Sequence, residues 1–183
     1  MSLLQSLKDA GLAPGSASSI ISDNFEPVVD VTIDFENARA HHGDLLRVSQ
    51  VQKPPVLSFT ADTANPDASY SFMLIDPDAP TPADPKFAFW RHWVVSSLKP
   101  GQNVSGKTLT EFLAPGPRPD SDPHRYLFLV FREPAGFSLN KEDVGGEEFV
   151  DRRSFGAADF VQKHGLVLAG LNWMRCAADE WQA

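Results

Sequence analysis

Proline constrains this chain more than any other residue type. Nine of its fifteen prolines fall between Pro77 and Pro123, and a residue with φ held at about −65° and no amide donor excludes long helices and central strands wherever it stands. The apolar residues therefore gather in short runs between proline- and glycine-rich connections, the rhythm of a β-rich domain with long loops. The runs read as strands span Val28 to Phe35, Leu45 to Val48, Val56 to Phe59, Tyr70 to Ile75, His92 to Leu98, Tyr126 to Phe131 and Leu166 to Arg175. Phe155 to His164 reads as a short helix with Ser154 as N-cap and Gly165 just past its end, and Thr108 to Leu113 as one or two helical turns. Strands with so few helices between them predict a mostly β fold, an antiparallel β-sandwich with a few short peripheral helices, rather than a doubly wound parallel sheet.

A length of 183 residues suits one domain with a real core, taken here as 1–183 with 1–24 as an N-terminal extension. Twenty-four acidic against sixteen basic side chains leave a net charge of −8, which disfavours nucleic acid and anionic membrane surfaces as partners. Cys176 is the only cysteine, so neither an intrachain disulfide nor an all-thiolate metal site can form. No cofactor is expected, and a reducing, cytoplasmic location fits. No stretch approaches the roughly 18 apolar residues of a membrane span. The opening MSLLQSLKDAGL reads as an amphipathic helix with Leu3, Leu4 and Leu7 on one face and Gly11 as its stop. Ala13 to Ser19 reads as a flexible tether, and the residues leave two uses open for the helix: docking in a partner's groove, or packing on the domain's own sheet.

One motif is refused. GQNVSGKT, Gly101 to Thr108, satisfies G-x-x-x-x-G-K-[ST], the pattern of loops that cradle nucleotide phosphates. That mechanism needs a substantial helix after the loop, whereas TLTEFL is ended by Pro115 within a few residues. The segment reads as a β-turn in a surface crossover, and Lys107 as dispensable for nucleotide binding.

The polar residues that carry chemistry stand at strand ends, where a rigid sheet can aim them into one cavity. They are Asp76 in FMLIDPDAP, His92 in WRHWVV, and His124 with Tyr126 in PHRYLFLVF. Alternation groups Asp76 with Phe72 and Leu74, His92 with Trp90 and Val94, and His124 and Tyr126 with Phe128 and Val130, all on one apolar face. Asp76 closes its strand while the two histidines open theirs, so an antiparallel arrangement brings the polar tips to one rim. Two imidazoles and a phenol as donors, with a carboxylate to fix a histidine tautomer, suit an anionic group. The PGPRPDSDP loop, Pro115 to Pro123, walls that rim at Gly116. Asp78 reads as a loop-shaping residue bonded to nearby amides, Arg125 as a bracing residue on the opposite strand face, and His41, His42 and His164 as residues outside the site.

DPDAP at Asp76 to Pro80, DPKFAFWRHWVV at Asp84 to Val95 and GPRPDSDPHRYLFLVF at Gly116 to Phe131 together resemble the phosphatidylethanolamine-binding protein family. Within it they are most like the fungal carboxypeptidase Y inhibitor branch, on LKDAGL near the start and HGLVLAGLNW near the end. The resemblance implies a β-sandwich without catalysis, a cis peptide at Ala79–Pro80, and a small pocket for phosphate-bearing headgroups lined by Asp76, Pro80, Trp90, His92, Gly116, His124 and Tyr126. It also implies regulation through protein contacts, with a serine carboxypeptidase as the leading partner and a kinase or small-GTPase pathway as the alternative. Two departures stand out. Arg118 follows Gly116–Pro117 where a second proline is usual, and Asp120 and Asp122 replace small residues, adding two carboxylates that Arg118 opposes. The C-terminal helix of animal members, whose tyrosine helps close the pocket, has no counterpart before Ala183, leaving Trp173 or Trp181 to take its place. A hydrolase using Asp76 and His92 as acid and base is the enzymatic rival. Neither G-x-S-x-G nor H-E-x-x-H occurs to support it.

Overall fold

The computed structural model describes residues 1–101 and 105–183. Among them, β1 (Val31–Phe35), β2 (Ala38–Ala40) and β4 (Val56–Phe59) form a small sheet in the order β2-β1-β4. The larger sheet runs β3-β9-β8-β5-β6-β7, from β3 (Asp44–Arg47), β9 (Val167–Ala177), β8 (His124–Arg132), β5 (Tyr70–Asp76), β6 (Trp90–Leu98) and β7 (Lys107–Thr110). Three short helices, α1 (Leu3–Asp9), α2 (Lys141–Val144) and α3 (Ala157–Lys163), lie outside the sheets.

The central strands explain the layering. Every residue of β5 is buried, because YSFMLID is apolar on both faces, as a strand covered on both sides must be. Phe72 and Leu74, with Phe128 and Val130 of β8, pack toward Ile33, Phe35, Leu57 and Phe59 of the small sheet. Met73 and Ile75, with Leu127 and Leu129, face the other way, where Phe160 of α3 and the N-terminal segment cover them. The fold is thus the expected mostly β sandwich with short peripheral helices. One pair departs from the antiparallel rule: β3 runs parallel to β9. These strands lie far apart in the chain, so no tight hairpin dictates their relative direction.

The N-terminal segment is not a tethered arm. Ser2 caps α1 by accepting from the Gln5 amide, and Gly11 at φ +63° ends it as anticipated. Leu7 and Leu12, however, are fully buried, as are Ala17 and Ile21 in and just after the expected tether. These apolar residues recur every four or five positions, so a compact turn after the helix buries them all against the sheet. Ser6 Oγ accepts from Trp173 Nε1 at 2.9 Å, and the Ala10 carbonyl accepts from the Arg125 guanidinium at 2.7 Å. Leu4 alone of the expected stripe is exposed.

Three further expectations are corrected. Thr108 to Leu113 is not helical; its first residues belong to β7, which pairs with the edge of β6, and sheet pairing outweighs the weak local helical signal. Lys107 and Thr108 therefore open a strand rather than a helix, and Lys107 Nζ donates to Asn140 Oδ1 at 2.7 Å. The β-turn expected in the same motif falls partly on residues 102–104, outside the described residues. Ser154 does not cap α3: it lies in a turn with φ +51°, its amide donates to the Phe87 carbonyl and that of Phe155 to the Phe89 carbonyl, and Gly156 takes the cap position. Gly165, at φ +63°, ends α3 as expected. Among the described residues, no helix is long and apolar enough to cross a membrane.

Candidate functional site

Asp76 ends β5 opposite Trp90 at the start of β6, and β8 begins with His124, three residues before the last β5–β8 pair, Ile75↔Leu127. Both neighbours run antiparallel to β5, so the three strand ends meet at one rim. A cavity of about 220 Å³ opens there, lined by Asp76, Pro80, Trp90, His92, Gly116, His124 and Tyr126, all seven of the residues named from the sequence. Ala79, Leu113, Ala114, Arg118 and Phe149 complete its wall. The Ala79–Pro80 peptide is cis.

His92 reaches the cavity by an irregularity that alternation does not anticipate. Leu74 pairs with Trp93 but Ile75 pairs with Arg91, leaving His92 as the extra residue of a bulge. A bulge re-aims side chains and breaks the two-residue period. His92 and Trp93 consequently both turn toward the inter-sheet side, against Tyr126 and Phe72 respectively, while Val94 packs with the opposite core. The grouping of His92 with Val94 is therefore corrected. His92 Nδ1 donates to the Leu113 carbonyl at 2.7 Å. Its Nε2 has no hydrogen-bond partner among the described residues and is open to the cavity. Burial holds the imidazole below its ordinary pKa, the charge of Asp76 opposing the effect.

His124 is arranged differently. Its Nδ1 donates to Asp76 Oδ2 at 2.8 Å, and its Nε2 lies 3.0 Å from Ser121 Oγ. Asp76 Oδ1 accepts the Asp78 amide at 2.7 Å. Both ring nitrogens and both carboxylate oxygens are committed within the protein. His124 thus offers no free donor, and the expectation of two imidazoles facing a ligand reduces to one. The Asp76–His124–Ser121 chain has the connectivity of a serine-hydrolase triad, but Ser121 is 2% exposed and does not line the cavity. A nucleophile shut away from the cavity cannot reach a substrate there, and Asp76 and His92 share no hydrogen bond that would pair them as acid and base. The hydrogen-bonded chain braces the floor.

Tyr126 lies behind His92, with ring centroids 5.3 Å apart. Burial pushes its phenol well above the ordinary pKa, Asp76 adding to the effect, so the hydroxyl keeps its proton. Trp90 is buried with its Nε1 unpartnered. Phe149, 62% exposed, closes over it edge to face at 4.6 Å. Phe149 fills the covering role assigned to Trp173 or Trp181, neither of which lines the cavity: Trp173 holds α1 from the far face of the sheet, and Trp181 stacks with Arg47. The buried Arg152 guanidinium fastens the Phe149 turn by donating to the carbonyls of Arg91, His92 and Glu111. At the mouth, Arg118 meets Asp120 at 3.6 Å with both side chains exposed.

Phe149, Ser121, Ala114 and Leu113, whose carbonyl holds His92, are site residues that the sequence reading missed. Phe149 lies in a segment without periodicity. Ser121, three residues before His124, offered only spacing as a signal.

Asp78 and Arg125 stand behind the wall as expected. Asp78 is buried and accepts from the Arg125 amide at 2.7 Å and from two guanidinium nitrogens at 2.9 and 2.6 Å. The pair ties the DPDAP turn to β8 and, through Arg125, to the end of α1.

A family model described as phosphatidylethanolamine-binding protein matches residues 36–173. The rice protein MOTHER of FT and TFL1 homolog 2 is 29% identical over 160 residues, 86% of each chain. Among solved structures, a carboxypeptidase Y inhibitor complexed with its cognate proteinase superimposes with a TM-score of 0.80 at 21% identity, covering 97% of this chain and 95% of that one. A phosphatidylethanolamine-binding protein from Plasmodium vivax does so with a TM-score of 0.78 at 23% identity, covering 96% and 97%.

Proposed function

Because the chain belongs to the phosphatidylethanolamine-binding protein family, we propose that it is a non-enzymatic regulatory protein whose cavity binds a phosphate-bearing headgroup. One observation carries the reading: a small cavity with apolar aromatic walls, lined by Trp90, His92 and Tyr126, in which the His92 ring keeps Nε2 for a ligand while the neighbouring carboxylate is already bonded within the protein. At about 220 Å³ it lies below the roughly 300–1,000 Å³ of sites that enclose drug-sized molecules. A headgroup fits that size, and an acyl chain does not.

The experiment is titration of the full chain with phosphoethanolamine, followed by calorimetry and by the imidazole NMR signals. Saturable binding at millimolar ligand or below, with the His92 signals moving, is expected. Unmoved His92 signals and no heat at those concentrations would remove the headgroup reading. The partner we assign is a serine carboxypeptidase, inhibited by surface contact. The support is likeness of fold along nearly the whole chain to an inhibitor bound to its proteinase. Inhibition of a serine carboxypeptidase by the purified chain tests it, and unchanged peptidase rates at micromolar protein would exclude it. The reading places the protein in the cytosol, in keeping with a single, buried cysteine.

A further inference from the structure

At the end of the large sheet away from the rim, where β5 begins and β8 finishes, a second cavity of about 610 Å³ opens, walled in part by Asp67, Ser69, Arg132, Glu133, Pro134 and Phe137. The length of β5, Tyr70 to Asp76 at about 3.3 Å per residue, puts about 20 Å between the two cavities. The volume falls within the roughly 300–1,000 Å³ of small-molecule sites. Glu133 supplies its chemistry. The residue is 9% exposed, and its Oε1 accepts from the Ser71 hydroxyl at 2.7 Å and from the Ser97 amide at 2.8 Å. Its Oε2 has no hydrogen-bond partner among the described residues and keeps contact with solvent, which reaches Glu133 from the cavity.

The fold itself accounts for only one of the two oxygens. Tyr70 pairs with Leu98 and Phe72 with Val95, so Ser71 stands against both Ser96 and Ser97 in a bulge. Ser97, at φ +61°, turns its amide out of the ladder, and Glu133 Oε1 takes it. A glutamine would serve Ser71 and Ser97 equally well through its carbonyl oxygen, without a charge. A nearly buried carboxylate costs more to desolvate than an amide, and a charged donor at Oε2 offsets that excess. We propose that this second cavity binds an organic cation that carries N–H donors, a primary ammonium or a guanidinium on a short apolar stem. The nitrogen donates to Glu133 Oε2, and the stem lies against Phe137 and Pro134. The proposal does not depend on the headgroup reading.

The surrounding charges agree with a cation. The segments that form this end of the sheet carry Asp62, Asp67 and Glu133 against Arg132 and Lys99. Arg132 lies 3.5 Å from Asp62, and Lys99 Nζ donates to the carbonyls of Asp67 and Ala68. Neither cation bonds to Glu133, and one negative charge is in excess. Phe137 is half-buried and Pro134 exposed, so both offer apolar surface to a stem, and an aromatic face also attracts a cation.

Amide NMR titration of the full chain at low ionic strength, in an amine-free buffer, tests the proposal. The probes are n-butylammonium, n-butylguanidinium and a lysine tripeptide blocked at both ends, against butyltrimethylammonium, which has the same charge and no N–H. The amide signals of Ser97, bonded to Glu133, and of Gly136, on the cavity wall, should move saturably at about 20 mM probe or below, as suits ligands of so few atoms. The His92 imidazole signals stay in place. At least one N–H cation should bind about tenfold or more tighter than butyltrimethylammonium, the worth of one charge-assisted hydrogen bond. A preference for the tripeptide identifies a basic side chain of a polypeptide as the source, and a preference for the butyl compounds a free small molecule. E133Q, in which the amide oxygen still accepts from Ser71 and Ser97, should melt within about 3 °C of the unmodified chain and lose about tenfold in affinity for the N–H cations. Butyltrimethylammonium binding as tight as the N–H cations overturns the proposal on the unmodified chain alone. So does unchanged affinity in folded E133Q, or the absence of any movement at Ser97 and Gly136; none of these results bears on the headgroup reading.

Discussion

Asp76 and Asp78 stand two residues apart in one turn and serve different partners, and the division shows how the site is kept in shape. Asp78 meets the Arg125 guanidinium in a two-pronged pair and anchors the turn to β8, a geometry stronger than a single charged contact. Its role was legible because a carboxylate in a proline-flanked turn has few donors other than nearby amides and cations. Asp76 instead orients His124, and nothing in DPDAP indicates which of two histidines it takes. That choice follows from β8, not β6, placing its first residue beside the end of β5 within hydrogen-bonding reach. His92, bonded to a carbonyl rather than to a carboxylate, is the residue that responds to acid. Its pKa is lower in the folded than in the unfolded chain, so the stability it contributes is fully present above the unfolded value of about 6.5 and is lost as pH falls through the folded value. Thermal melts of the wild type should therefore fall on acidification below about pH 6.5. H92Q, referenced to its own value at pH 7.5, should fall less over the same range, and an identical acid-side slope in the two proteins would refute this.

At the scale of elements, α1 and the turn that follows it behave as core. Leu7 and Leu12 are both fully buried, and burying such a side chain contributes about 1.5–3 kcal/mol. Deleting residues 1–12 should therefore cost about 3–6 kcal/mol, a large share of the roughly 5–15 kcal/mol that holds a domain together, and lower the melting temperature by about 10 °C or more. Circular dichroism of the truncated chain checks this, and a melting temperature within about 2 °C of the full chain would restore the segment to a free arm. The amphipathic pattern was correctly read as a helix, but what its apolar face meets was not written in it. An apolar stripe packs as well on a chain's own sheet as in a partner's groove, and only the position of Trp173 and Arg125 on the outer face of the large sheet, where both bond to the segment, decides between them. The missed β7 has a similar cause: four residues carry too little periodicity to outweigh a local propensity, and the free edge of β6 supplies the pairing.

For the whole molecule, the joint between the sheets is set at a glycine. A Cβ on Gly170 of β9 would stand 2.4 Å from the Val29 carbonyl oxygen, where the chain leading into β1 hydrogen-bonds to Ala169. The obstacle is backbone and cannot rotate aside, so Gly170→Ala should destabilise the fold by about 1–3 kcal/mol; denaturant unfolding measures it, and a neutral substitution would show the joint to be loose. Such close approach is invisible in the sequence, where LAGLNW reads simply as strand. What the sequence determined by itself was the local matter: prolines and glycines cut the chain into short strands, the apolar runs made β5 and β8 central, and the cavity residues stood at strand ends because DPDAP and DPHRY interrupt apolar runs. The tertiary structure alone decided which polar atoms remain free. The bulge at His92 turns a lone pair into the cavity, pairing across the sheet commits His124 to Asp76, and a turn fastened by Arg152 lays Phe149 over Trp90. Each depends on hydrogen bonds between segments distant in the chain, and residue spacing carries no information about such bonds until the strands are in register.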